Sequence, residues 1–168
     1  MKMNTMFLTQ LDREVERSRR VLIQFPEGKY EWKPHEKSMK FGHLAEMVAT
    51  IPSWIAMMVT QAELDVAPAT PQHKSEPMHT SAELLKALEK SCTQARTALD
   101  GATDEFLVTP WKLLAHGQVV SEAPRFEMIR DAFTHLAHHR GQMTVYLRLV
   151  GATVPALYGP SADDKRFT

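Results

Sequence analysis

The sequence predicts an all-α protein of four helices, and three observations carry that expectation. Apolar residues recur at steps of three and four over long stretches. Proline and glycine fall between those stretches, where helices start and stop. The composition, 43% hydrophobic and 24% charged, is that of an ordinary water-soluble globular protein. A chain of 168 residues fits one domain, 1–168, with one respectable core.

The first helix is expected over 5–25, where Phe7, Leu11, Val15, Leu22 and Phe25 recur among charged residues, and Pro26 and Gly28 end it. A second helix, with Ser38 as a plausible N-cap, carries Phe41, Leu44, Val48, Ile51, Ile55 and Met58. Pro52 should kink or split it, because proline has no N–H for the helical ladder. The stretch 64–79 is proline-rich and aperiodic, and is read as a long connection across the bundle. Thr80 and Glu83 form a capping-box pattern for a third helix, with Leu85, Leu88, Cys92, Ala95 and Leu99 inward and Gly101 near its end. Over 105–123 the rhythm breaks, and two short apolar runs around His116–Gly117–Gln118 suggest a small hairpin. Pro124 then opens the fourth helix, about 125–150. Its apolar series, Phe126 through Val150, is interrupted only by Arg140. A parallel stripe one residue earlier runs Met128, Ala132, His135, His139, Gln142, Tyr146 and Leu149, and the two together make a wide inward face.

Twenty basic residues balance twenty acidic ones, so no global field attracts nucleic acid or anionic lipid, and neither is expected as a partner. The run Arg17–Arg20 sits among acidic residues and reads as a solvated helix face. One cysteine, Cys92, precludes an internal disulfide and suits a reducing, cytoplasmic setting. No apolar run approaches a secretory leader or the ~18 residues of a membrane span.

The chemistry-bearing stretch is HLAHHRGQ, residues 135–142. His135 and His139 are four apart, so on a helix their rings share a face and can grip one ion. His138 points away and is the one expected to be exposed. A catalytic centre wants about three protein ligands, so a third must come from another helix. His43 leads, with Met47, one turn later, on the same flank; His35, His73, His79 and His116 lie in loop-like segments. The alternative reading is three histidines on a well-packed helix.

WKPHEKSMKFGHLAEMVATIPSW (32–54) and FTHLAHHRGQMTVYLRLVGATVPALYGPSADD (133–164) together resemble the DinB-like family of small bacterial four-helix proteins. The resemblance implies an antiparallel four-helix bundle with a long connection between helices two and three, and a divalent metal, nickel or zinc, held by three histidines. Two of these match His135 and His139. Known relatives include thiol-dependent transferases and isomerases. Where relatives read KSMTLGxLAxHVAxLPxW in helix two, the metal histidine falls on Met47, with His43 one turn earlier. His43 reaching across, a thioether ligand from Met47, or a lost site in which Met47 simply packs are the three outcomes to separate. Two functions follow as expectations. One is a metal-dependent transferase or hydrolase acting on a small substrate or low-molecular-weight thiol, with catalytic residues unassigned. The other is a non-catalytic bundle that binds a small ligand or serves as an interaction module. A homodimer is expected on the resemblance alone.

Overall fold

The computed structural model describes residues 2–69 and 76–166. Helix α1 runs Met3–Leu22, and its Phe7, Leu11 and Val15 are buried at the expected spacing. Helix α2, Phe41–Thr50, begins three residues after Ser38; the N-cap is Lys40, with no side-chain cap. Ile51 separates it from α3, Pro52–Thr60, so the proline does split the predicted helix and takes the first-turn position, where no N–H is needed. Helix α4, Ser81–Asp100, opens with the full capping box: Thr80 accepts from Glu83 N, and Glu83 accepts from Thr80 N. Its buried stripe is Leu84, Leu88, Ser91, Ala95 and Leu99, with Leu85 and Cys92 at its edge. A short α5, Asp104–Leu107, precedes the longest helix, α6, Arg125–Leu149.

The all-α expectation is overturned by a three-stranded mixed sheet, ordered β1-β2-β3. Strands β2 (Pro110–Ala115) and β3 (Gln118–Pro124) pair antiparallel around a two-residue turn, His116 at φ 53° and Gly117 at φ 73°. Positive φ at both central positions gives the turn whose twist matches the strands, and Gly117 supplies it without strain. The third strand, β1 (Glu63–Asp65), lies in the stretch read as a plain connection and pairs parallel with β2, Leu64 opposite Leu113. Parallel neighbours need a long crossover, here through α4 and α5, so three residues of strand leave no local signature. Of the connection 64–79, residues 70–75, with His73, lie outside the described residues.

One hydrophobic core joins α1, α2, α3, α4 and α6, with Trp111 of β2 at 1% exposure tying in the sheet. Arg125 fastens the start of α6 to the end of α3. Its Nη1 donates to the carbonyls of Met58 and Gln61, the latter at 2.8 Å, so a cation closes the negative end of α3. Arg140, the interruption in the apolar series of α6, is fully buried and ion-paired to Glu14 of α1, itself 3% exposed.

Candidate functional site

The wide apolar face of α6 sets its histidines on the flank of the core. His139 is buried, His135 half-buried and His138 exposed. Nε2 of His139 lies 2.8 Å from Nε2 of His135, while Nδ1 of His139 meets Oε1 of Gln142 at 2.8 Å. The amide oxygen can only accept, so Nδ1 of His139 carries the proton and its Nε2 keeps a lone pair. His135 must then donate through Nε2–H, leaving its own Nδ1 as a bare acceptor. Burial, and then the neighbouring His139 and His138, hold the His135 imidazole below its ordinary pKa, which favours its neutral form. The edge of Trp54, on α3, packs against the His135 ring at 5.2 Å.

The third expected ligand stands elsewhere. The His43 side chain is 56% exposed, and its Nδ1 lies 3.5 Å from Glu46 Oε2. Glu46 is held in turn by Tyr30 Oη and Met78 N, each donating to Oε1 at 2.9 Å. Met47 packs, half-buried, against the core. His35 accepts from Lys37 N in a turn, His79 lies against the Tyr30 ring, and His116 forms the hairpin turn. Among the described residues no group of three His, Cys, Asp or Glu side chains is placed to hold a metal ion. Two imidazoles on one helix are fewer donors than the three a catalytic centre takes. The residues present therefore do not fit the three-histidine metal centre of the resemblance.

What His135 does border is a cleft of about 410 Å³ between α3, the sheet and α6. Trp54, Met57 and Met58 wall it from α3, Leu64 and Leu113 from the sheet, and Met128 and Ala132 from α6, with His135 and Asp131 among its few polar groups. On the sheet side the β2–β3 hairpin was expected, while β1 escaped sequence reading because three residues have no length to show alternation. Arg125, which ties α3 to α6 beside the cleft, was missed too; arginine in a first helical turn reads as solvated surface. Cys92 is half-buried, and burial pushes its thiol pKa up, away from nucleophilic use. Asp163 and Asp164 brace the tail by accepting from Val154 N and Ala156 N.

Helices around one core, a small mixed sheet, and a histidine pair on the last helix beside an apolar cleft define a helical protein with a ligand-sized site. The chain belongs to the DinB family, which it matches over residues 1–166. A DinB-like protein from Bacillus cereus superposes with a TM-score of 0.68 at 20% identity, covering 90% of this chain and 95% of that one. A second, from Bacillus subtilis, gives 0.68 at 18% identity, covering 95% and 99%. At those identities the likeness is one of fold. The uncharacterized protein YrdA of Bacillus subtilis is 42% identical over 43 residues, 26% of this chain and 26% of YrdA. The match thus spans about a quarter of the length of that curated relative. No helix among the described residues is long and apolar enough to cross a membrane.

Proposed function

We propose that this DinB-family protein binds a small, mainly apolar molecule bearing an S–H or O–H group in the cleft between α3, the sheet and α6. The observation that carries the reading is His135 on a wall that is apolar apart from Ser121 and Asp131. Its Nε2–H is committed to His139, and its Nδ1 has no partner among the described residues. An unpaired acceptor in a mainly apolar cleft favours a ligand that brings a donor, because a ligand that displaced water without one would leave the acceptor unpaired. A low-molecular-weight thiol or alcohol supplies that donor, and the mixed tryptophan and methionine walls accommodate its body.

The direct test is quenching of Trp54 and Trp111 fluorescence by benzyl mercaptan and benzyl alcohol. Saturable binding that weakens roughly 2- to 10-fold in His135→Ala is expected, the worth of one neutral hydrogen bond. No saturable binding, or an unchanged affinity in the variant, sinks the reading.

The metal-dependent transferase or hydrolase remains the second reading, favoured by one observation: the Nε2 atoms of His135 and His139 lie 2.8 Å apart. Elemental analysis of untagged protein separates the two. Near one equivalent of nickel or zinc, lost in His139→Ala, would overturn the metal-free reading.

A further inference from the structure

We propose that a second cleft, between α1 and α6 on a part of the surface sharing no lining residue with the first, binds a small monocarboxylate with an apolar body. It measures about 550 Å³; Met6, Phe7, Phe133 and Ala137 supply apolar walls, and Glu14, Arg17, Arg130 and Tyr158 supply the polar ones.

The charge balance of the inner wall points to an anion. Glu14 is the buried carboxylate here, and it is shared by two guanidiniums: Arg17 Nη1 at 2.8 Å from Oε1, and Arg140 on Oε2. One carboxylate against two guanidiniums leaves one positive charge over. The hydrogen-bonding capacity is unspent as well. Behind the wall Arg140, which does not itself line the cleft, has no partner for its Nε among the described residues. Arg140 Nη2 donates to Tyr158 Oη at 2.6 Å, which occupies a lone pair of that oxygen and leaves the hydroxyl proton without an acceptor among the described residues. The Arg17 guanidinium lies over the Tyr158 ring, 4.2 Å from its centroid, which holds the two donors together. At the mouth, Arg130 has among the described residues only its neighbour Asp131 at 3.5 Å, both side chains more than 60% exposed.

A single uncompensated charge, a guanidinium and a hydroxyl donor beside phenyl and alkyl walls match a carboxylate with a hydrocarbon body. A phosphate dianion would bring excess negative charge against Glu14. An uncharged amphiphile could accept a hydrogen bond but would leave the surplus positive charge uncompensated.

The test uses octanoate, with 1-octanol as its uncharged counterpart, followed by NMR titration of the full chain. Octanoate should shift the Tyr158, Phe7 and Phe133 ring signals and leave the Trp54 and Trp111 indole signals in place. Affinity should fall about tenfold or more in Arg17→Gln and about 2- to 10-fold in Tyr158→Phe. Both substitutions leave the Glu14–Arg140 pair in place, and far-UV circular dichroism checks that each variant is folded. Absence of octanoate binding at millimolar concentration overturns the proposal. So does equal binding of 1-octanol, unchanged affinity in Arg17→Gln, or shifts confined to the two indoles, which would place the acid in the first cleft.

Discussion

Replacing Arg140 with methionine tests how the two long outer helices are held together. Arg140 donates to the Glu14 carbonyl at 3.2 Å, Ser18 Oγ at 3.3 Å, Tyr158 Oη at 2.6 Å and the Glu14 carboxylate. Without the guanidinium, Glu14 stays buried at 3% exposure with its Oε2 stripped of a donor. Breaking a buried ion pair from one side costs about 3–5 kcal/mol, because the surviving charge cannot return to water. Gln10 and Arg17 still donate to Oε1, at 2.7 and 2.8 Å, which places the loss near the lower bound, about 3 kcal/mol. For a chain of this size that lowers Tm by about 6–12 °C. The double variant Glu14→Met, Arg140→Met removes both charges and should recover most of the loss, since an apolar replacement of the whole pair is often neutral. Urea denaturation followed by far-UV circular dichroism measures Arg140→Met, the single variant Glu14→Met and the double variant against the parent. A loss below about 1 kcal/mol in Arg140→Met, or a double variant as unstable as the sum of the singles, would refute the reasoning.

Two further outcomes are expected. His135 has a folded pKa below its unfolded value, so below pH about 6.5 the unfolded chain binds more protons. Its contribution to stability is thus present above that pH and lost as pH falls toward the lowered pKa. Melting temperature should drop over that window, and His135→Gln should drop less; identical profiles would contradict the geometry of the pair. In Gly42→Ala the new Cβ would meet the Tyr30 ring, costing about 1–3 kcal/mol as the ring is displaced. Burial and Glu46 push the Tyr30 hydroxyl pKa up to about 12, so ultraviolet titration of that variant should show it moving back toward the ordinary tyrosine value. An unchanged melt and titration would mean that the ring is not fixed there.

The sequence alone determined the helices, because helical periodicity is a local property: burying one face requires apolar residues every three or four positions, and α1, α4 and α6 show it. It also determined the break at Pro52 and the capping box at Thr80, whose causes lie within a few residues. His135 and His139 were legible as a pair for the same reason, since one turn of helix fixes their distance. The tertiary structure decided what no local pattern encodes. The parallel pairing of β1 with β2 joins segments separated by a whole helix, and it turns an all-α expectation into a mixed fold and builds one wall of the cleft. His43 and Met47 are one turn apart in sequence, but only packing decided that the first faces outward to Glu46 and the second lies against the core. Arg140 looked like a flaw in an apolar stripe until α1 brought Glu14 to it. A charge can occupy a core only when a distant element supplies its partner, and that partner is set by the fold.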